Sequence, residues 1–274
     1  MKAKPTSSVM EPPKGVPSLI PNEDARALVD SLLENRSEES YGFGALASAM
    51  SRVQPAVQIA IPSNMEHLPA LFVDNLSALH KPALWTQDII REATIAAMRN
   101  EAVEMMLGAK VRSSQGAKQM THLFMLDNDM VYPPSTLMEL LRSDVDVVAG
   151  WGCSRVAPYY HNFMVPSDTG EFYDVPTTLP TPAGLHEVGA VGACGMLIRR
   201  EVLEALEPPW FADVTDEETG TRIGEDVYFC RKARAAGFKV WCRTDLRFGH
   251  MVPSLVFPSH GADGEYTAEA RFGV

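Results

Sequence analysis

The sequence lacks the features that define several large classes of protein. No apolar run approaches the roughly 18 residues of a membrane span, and the first residues are not followed by the apolar core of a secretory signal. The four cysteines are dispersed and form no Cys-x-x-Cys pair, which argues against a zinc site or a disulfide framework. We therefore expect a protein of the reducing cytoplasm, with no stable membrane insertion.

Positive charge is also scarce. The chain holds 24 lysines and arginines against 35 aspartates and glutamates, which gives a formal net charge of −11. An acidic surface repels a phosphate backbone, so tight nonspecific binding of DNA or RNA is not expected. A nucleotide substrate stays compatible with this charge, because a bound metal ion can neutralise its phosphates locally. The length of 274 residues suffices for one large α/β domain or two small ones.

The most informative segment that is present reads Leu-Phe-Met-Leu-Asp-Asn-Asp-Met, at 123–130. Its apolar start is typical of a strand buried on both faces of a parallel sheet. The acids then follow the carboxyl end of the strand, where open α/β sheets bind ligands. In an extended segment residues i and i+2 point the same way, so Asp127 and Asp129 are predicted to converge on one divalent cation. For an isolated motif of this kind, a loop with two solvated acids is the common alternative, because turns favour Asp and Asn.

The order of apolar patterns indicates an α/β fold, with a mostly parallel sheet flanked by helices. Residues 1–21 are rich in proline and predict a disordered tail. Residues 22–54 predict a helical appendage. The main domain is predicted at 55–252, and a C-terminal tail at 253–274.

Within the main domain, both kinds of regular element are predicted from hydrophobic period and turn residues. Strands are predicted at 57–63, 122–126, 145–149, 189–198 and 238–242. Helices are predicted at 66–80, 89–107, 135–142, 201–206 and 225–236. The stretch 151–186 shows no clear period, so we interpret it as a functional loop or as strands that the pattern does not reveal.

Two further groups of polar residues are candidates for a site. Gly224-Glu225-Asp226 precedes a predicted helix, where acids in the first turn are favoured by the helix dipole and a capping role is the simple explanation. His250 follows the last predicted strand, although a lone histidine is more often packed than ligating. Their significance comes from their order along the chain after the acidic strand end at 127–129.

Three residues are candidates for contact with an acceptor. Trp151 could stack on a sugar ring, or it could pack in the core. Tyr160 could line a cleft from within the irregular stretch. Gly195 could allow the backbone to approach a substrate, or it could allow close packing of strands.

This ordered pattern resembles the GT-A fold glycosyltransferases, particularly those grouped with family 2 and their virus-encoded and bacterial relatives. The resemblance covers roughly residues 55–252 and is carried mainly by Asp127-Asn128-Asp129 after its apolar strand and by Gly224-Glu225-Asp226 before its helix. It implies a GT-A type, Rossmann-like fold. It also implies metal-dependent transfer of a sugar from a nucleotide-diphosphate sugar to an acceptor hydroxyl.

The resemblance also implies roles for individual residues. It assigns donor binding to Pro62, Ser63, Arg99, Asn100, Asp127 and Asn128. It assigns metal contacts to Asp127, Asp129 and His250. It makes Asp226 the catalytic base and Glu225 a residue that orients the acceptor. Oxygen ligands with one imidazole suit Mn²⁺ at least as well as Mg²⁺, so Mn²⁺ (or Mg²⁺) is the expected cofactor.

Two other functions stay open. A nucleotidyltransferase would normally carry a glycine-rich phosphate loop with a basic residue after the first strand, and Pro62-Ser63-Asn64-Met65-Glu66 has neither. A noncatalytic carbohydrate-binding domain with the same fold would not need Asp129, Asp226 and His250 together. The acceptor is left open among a glycan, a lipid-linked sugar, a protein side chain and a modified nucleobase.

Overall fold

The computed structural model describes residues 54–113, 116–155, 159–166, 172–174, 182–217, 220–252, 255–261 and 263–271. The predicted tail at 1–21 lies outside this part of the chain, and so does the predicted appendage at 22–54, apart from Gln54. Within the described ranges, no helix is both long enough and apolar enough to cross a membrane.

Strands account for most of the regular structure in these ranges. In chain order they are β1 (Ala56–Pro62), β2 (Leu84–Ile90), β3 (Lys110–Ser113), β4 (Gly116–Gln119), β5 (His122–Met125), β6 (Met130–Val131), β7 (Val147–Trp151), β8 (Phe163–Pro166), β9 (Phe172–Asp174), β10 (Leu185–Val188), β11 (Ala190–Val191), β12 (Met196–Arg199), β13 (Val214–Thr215), β14 (Arg222–Ile223), β15 (Val240–Arg247), β16 (Gly249–Met251), β17 (Leu255–His260) and β18 (Tyr266–Arg271). The helices are α1 (Ala70–Ala78), α2 (Ile95–Gly108), α3 (Thr136–Arg142), α4 (Arg200–Ala205) and α5 (Glu225–Ala235).

Seven strands form the central sheet, in the order β10-β15-β7-β12-β5-β1-β2. Strand β1 runs parallel to β2 and β5, and β7 runs parallel to β15. Strand β12 is antiparallel to β5 and β7, and β10 is antiparallel to β15. Strands β1, β2, β5, β7 and β15 therefore share one direction. Because β10 and β12 run the opposite way, the sheet is mixed rather than parallel throughout. The carboxyl ends of the parallel strands meet at one edge, where Pro62 ends β1 and Asp127 follows β5.

Both faces of this sheet are buried. Strand β1 directs Ala56 and Ala60 to a core shared with α2, α4 and α5, and it directs Val57, Ile59 and Ile61 to a core shared with α1 and α3. All five side chains are inaccessible to solvent. Burial on both faces explains why β1 and β5 are apolar without alternation. The predicted α/β architecture is thereby confirmed.

Two helices begin later in the chain than predicted. The helix predicted at 89–107 starts at Ile95, after Thr94, whose hydroxyl accepts a hydrogen bond from the amide of Ala97 at 3.1 Å. Ile89 and Ile90 instead end the edge strand β2, where Ile89 is 44% exposed. The helix predicted at 66–80 starts at Ala70. In both places the apolar spacing extended beyond the helix into the preceding segment, so it did not mark the boundary.

The stretches predicted as loop and tail contain strands. In the predicted tail at 253–274, β17 and β18 pair and complete a four-stranded sheet in the order β18-β17-β16-β6. In the stretch at 151–186, β8 and β9 join a three-stranded sheet with β11. The pairing of β16 with β6 sets His250 opposite Met130, next to Asp129.

Gly195, a candidate for acceptor contact, is a packing residue in the structure. Its φ of +88° is a conformation that residues with side chains rarely adopt. A Cβ atom there would lie 2.6 Å from Phe248 and 2.9 Å from Tyr132, two rings that pack edge to face. The absence of a side chain lets the turn before β12 lie against this aromatic pair.

We expect Gly195→Ala to lower the free energy of unfolding by about 2 kcal/mol or more, because it adds both backbone strain and overpacking. Gly237→Ala is the matched control. Gly237 also has a positive φ, of +92°, but no atom lies within 4 Å of the added Cβ, so only strain of about 1 kcal/mol applies. Urea unfolding measures both losses. Equal losses would contradict the packing role of Gly195.

Candidate functional site

A cleft of about 510 Å³ opens at the carboxyl edge of the central sheet. Its walls come from the ends of β1 and β5, the first turns of α2 and α5, β16, and the segments 153–155, 161–164 and 190–194. The predicted site residues that line it are Pro62, Arg99, Asp127, Asn128, Asp129, Glu225, Asp226 and His250. The predicted site residues absent from its walls are Ser63, Asn100, Trp151, Tyr160 and Gly195. The structure thus brings both acidic motifs and His250 to one cleft.

Asp129 and His250 face each other across part of this cleft. Asp129 Oδ2 lies 3.4 Å from His250 Nε2. The other ring nitrogen, Nδ1, lies 2.9 Å from the carbonyl oxygen of Cys153, which can only accept, so Nδ1 carries a proton. Nε2 and the carboxylate can then share either a proton or a cation. The amide of Met251 donates to the carbonyl of Asp129 at 2.7 Å and holds the two segments together.

Arg155 contacts the same carboxylate. Its Nη1 lies 3.1 Å from Asp129 Oδ2, and its side chain is 58% exposed. Burial raises the pKa of Asp129, but the hydrogen bond and charge of His250 and the charge of Arg155 outweigh burial and leave the pKa below its ordinary value. Asp129 is therefore ionised at neutral pH. The sequence analysis missed Arg155, whose only signal was a basic residue shortly after the carboxyl end of a predicted strand.

Arg99 joins the two acidic motifs, which are far apart in the sequence. Its Nε donates to Glu225 Oε1 at 3.1 Å, and its Nη2 donates to Asp127 Oδ1 at 3.1 Å. The Arg99 side chain is only 3% exposed. Burial lowers the pKa of Arg99, but the charges of Asp127, Glu225 and Asp226 raise it by more, so the guanidinium stays charged. Arg99 lines the cleft while its guanidinium contacts protein carboxylates, and its contact with a nucleotide stays a prediction.

Asp127 and Asp129 line the same cleft, but they contact different protein side chains. Strand β5 ends at Met125, and Asn128 and Asp129 lie in a turn, so the alternation of an extended chain does not apply to them. Asp127 contacts Arg99, whereas Asp129 contacts His250 and Arg155. Among the described residues, no group of three His, Cys, Asp or Glu side chains is placed to hold a metal ion. The candidate metal site therefore has two protein donors.

Asp226 lies in the first turn of α5 and faces Gly192. Its Oδ1 accepts a hydrogen bond from the amide of Val227 at 2.8 Å, and its Oδ2 would lie 3.6 Å from a Cβ at Gly192. Burial and the charge of Glu225 raise the pKa of Asp226 to about 6, although Arg99 and the Val227 amide oppose this rise. A carboxylate with a pKa this close to neutrality is suited to accept a proton.

Two predicted donor-binding residues, Ser63 and Asn100, do not line the cleft. The Ser63 hydroxyl accepts a hydrogen bond from Asn128 Nδ2 at 2.6 Å, and Ser63 is 4% exposed. Asn100 Oδ1 accepts hydrogen bonds from the amides of Trp210 and Phe211, and its Nδ2 donates to the Phe211 carbonyl. Both side chains therefore position neighbouring segments.

Two of the predicted acceptor contacts, Trp151 and Tyr160, also lie outside the cleft lining. Trp151 is completely buried, and its Nε1 donates to His161 Nδ1 at 2.8 Å, so it has no face free to stack on a sugar. Tyr160 is 42% exposed but does not line the cleft. Trp151 is the last residue of β7 and still lies inside the core, whereas the prediction placed it beyond the strand.

Comparisons with known proteins identify a fold but no family. No protein-family model matches the chain, and no curated protein sequence matches it significantly. Among solved structures, A197 from STIV is similar with a TM-score of 0.51 and 18% sequence identity, over 80% of this chain and 95% of that chain. At this identity the similarity establishes a shared α/β fold.

Two further solved structures are less similar. A proposed glucose-1-phosphate thymidylyltransferase from Bacillus anthracis, solved with sucrose, has a TM-score of 0.36 and 9% identity over 71% of this chain and 89% of that chain. The inositol-1-phosphate CTP transferase from T. maritima has a TM-score of 0.31 and 12% identity over 70% of this chain and 90% of that chain. Scores this low say nothing about the function of this chain.

We expect Arg99→Met to lower the free energy of unfolding by about 2–4 kcal/mol, because it leaves Asp127 and Glu225 as partly buried charges without a partner. Arg222→Met is the control. Arg222 pairs with Asp213 but is 78% exposed, and such a pair contributes about 1 kcal/mol or less. Urea unfolding at neutral pH measures both variants. Equal losses would show that Arg99 does not hold the acidic motifs together.

Proposed function

We propose that this protein is a metal-dependent glycosyltransferase that moves a sugar from a nucleotide-diphosphate sugar to an acceptor hydroxyl. The observation that carries the proposal is that one cleft brings Asp129 and His250, which lie 3.4 Å apart, together with a buried carboxylate of raised pKa, Asp226. The resemblance of the acidic motifs to those of GT-A glycosyltransferases supports the same function.

The charge of the cleft supports a role for a divalent cation. Four carboxylates line it (Asp127, Asp129, Glu225 and Asp226), against two arginines, Arg99 and Arg155. A nucleoside diphosphate brings further negative charge, so its binding here needs added positive charge.

Asp129 and His250 would hold that cation. The carboxylate is ionised, and in a neutral His250 ring the proton lies on Nδ1, so that Nε2 would offer its lone pair to the ion. An oxygen and an imidazole nitrogen suit Mn²⁺, and Mg²⁺ is an alternative. Two protein donors leave coordination positions for diphosphate oxygens and water. When bound, the ion would stabilise the charge on the departing diphosphate.

Asp226 would act as the base. The acceptor oxygen forms a bond to the anomeric carbon of the sugar, and the hydroxyl proton passes to the Asp226 carboxylate. The bond between that carbon and the diphosphate oxygen breaks, and its electron pair leaves with the diphosphate. Arg99 keeps Glu225 beside Asp226, where Glu225 would orient the acceptor. A base that acts directly on the acceptor predicts inversion at the anomeric carbon.

The pure protein, incubated with a panel of nucleotide-diphosphate sugars and Mn²⁺, should release free nucleoside diphosphate, at least by slow hydrolysis. Asp129→Ala and His250→Ala should each weaken Mn²⁺-dependent binding of the nucleoside diphosphate tenfold or more, which corresponds to about 1.4 kcal/mol. Asp213→Ala removes a carboxylate of an exposed ion pair and should bind as the wild type does. Isothermal titration calorimetry measures all three. If no donor is bound or turned over with any divalent metal, the proposal is refuted.

Asp226 should determine the pH dependence of transfer. Because a base must be ionised, kcat/KM should rise with pH and level off above the Asp226 pKa of about 6. Asp226→Asn should abolish transfer but spare donor binding, since the amide oxygen can still accept the Val227 amide.

The substitution Asp226→Asn should also change the stability of the protein by an amount that depends on pH. The ordinary pKa of an aspartate is 3.8, and the pKa of Asp226 in the fold is about 6. Ionised Asp226 therefore destabilises the fold above pH 6, whereas below about pH 4 the group is protonated and has no such cost. Asp226→Asn should therefore raise the free energy of unfolding by about 1–3 kcal/mol at pH 7, with little change at pH 4. Glu225→Gln, which removes the charge paired with Arg99, should lose stability at pH 7. Unchanged transfer in Asp226→Asn would contradict its role as base.

A further inference from the structure

One wall of the cleft presents uncharged side chains on the side of Asp226 that faces Gly192. We call it the base side and define it by Asp226, Val227, Gly192, Asn162 and Met164, all of which line the cleft. Gly192 connects these residues, because a Cβ there would lie 3.4 Å from Asn162 Cβ and 3.6 Å from Asp226 Oδ2. Its lack of a side chain leaves space directly beside the carboxylate.

The base side has no cation available to a ligand among the described residues that line the cleft. The lysines and arginines of that lining are Arg99 and Arg155 alone. Arg99 is directed at Asp127 and Glu225, and Arg155 contacts Asp129. Arg99 is also the one basic residue whose charge lowers the pKa of Asp226.

The sequence extends this observation beyond the described residues. No lysine or arginine occurs between Arg155 and Arg199, and this stretch supplies the segments 161–164 and 190–194 of the cleft wall. The same stretch contains four acids, which are Asp168, Glu171, Asp174 and Glu187. This stretch therefore supplies no lysine or arginine that could bind a phosphate at the wall.

The one amide of the base side is already committed. Asn162 Oδ1 accepts a hydrogen bond from the amide of Gly152 at 2.9 Å, and its Nδ2 donates to the Gly150 carbonyl at 3.0 Å. An anion placed beside Asp226 and Glu225 would meet two carboxylates in a partly buried setting, with no free donor among these side chains to offset the repulsion.

We propose that the acceptor presents an uncharged hydroxyl-bearing group to Asp226, that is, a sugar or alcohol without phosphate or carboxylate near the reacting oxygen. This inference rests on the proposed glycosyl transfer and narrows its substrate class. It also separates that function from transfer of a nucleotide to a sugar phosphate, since a phosphorylated acceptor would need cations on this wall.

The test uses two small surrogate acceptors that differ in one phosphate. The full chain is supplied with Mn²⁺ and a nucleotide-diphosphate sugar that it hydrolyses, together with glycerol or glycerol 3-phosphate at equal concentration and constant ionic strength. Mass spectrometry separates the glycosylated product from free sugar. The wild type should transfer to glycerol at least tenfold more efficiently than to glycerol 3-phosphate.

Charge introduced on the base side should change this preference. Val227→Lys should lower the ratio of transfer to glycerol over transfer to glycerol 3-phosphate at least threefold, and Met164→Lys should do the same from β8. Val227→Gln, similar in length but neutral, should keep the wild-type ratio. An unchanged ratio in both lysine variants would overturn the electrostatic basis of the proposal.

The outcomes distinguish the two proposals. Equal or better transfer to glycerol 3-phosphate by the wild type overturns the acceptor inference alone, and so does hydrolysis of the donor with transfer to neither surrogate. Absence of any donor turnover overturns the proposed function, and the acceptor inference falls with it.

Discussion

The candidate site depends on one buried charge, the guanidinium of Arg99. A charge that is 3% exposed is tolerated only when ionised partners surround it, and here Asp127 and Glu225 are those partners. They come from the end of β5 and the start of α5, while Arg99 comes from α2. All three elements must therefore be in place before all three charges are paired. The planar guanidinium also fixes the distance between the two acidic motifs, because separate nitrogens contact each carboxylate.

Near Arg99, the pKa values of two aspartates, Asp129 and Asp226, are shifted in opposite directions. His250 and Arg155 lower the pKa of Asp129, whereas burial and Glu225 raise the pKa of Asp226 to about 6. The first setting favours a permanent carboxylate that attracts a cation, and the second favours a carboxylate that exchanges a proton near neutral pH. The cleft thus offers two different environments to the same residue type, as the proposed sugar transfer would require.

The fold was predictable where burial on both faces leaves a continuous apolar signal. Strands β1, β5 and β7 were found because most of their side chains are buried and apolar, and the acids after β5 followed from the topology of such sheets. The edge strand β2 and the hairpin of β17 and β18 were missed, because apolar and polar residue types do not alternate along β2 and β17, although burial does alternate along β2. Trp151 was misplaced because periodicity does not reveal whether an aromatic residue ends a strand inside or outside the core.

The side-chain partners within the site were the least predictable part. Asp127 and Asp129 were predicted to share one ion, but the turn at Asn128 gives them separate partners. Arg155 and the carbonyl of Cys153 come from a stretch without a pattern, so their contacts with Asp129 and His250 could not be foreseen. Such contacts depend on tertiary geometry, which residue type and spacing do not encode locally.

The position of His250 in a paired strand has a consequence for how this site can change in evolution. His250 pairs with Met130 on one side and with Val256 on the other, so its imidazole is directed by strand register rather than by a loop. Inserting or deleting a single residue at 247–252 would turn the ring to the opposite face of the small sheet. Length changes between β15 and His250 should therefore be rarer among descendants of this chain than substitutions at the exposed positions of the C-terminal hairpin, whose Val256 and Tyr266 are buried in the core.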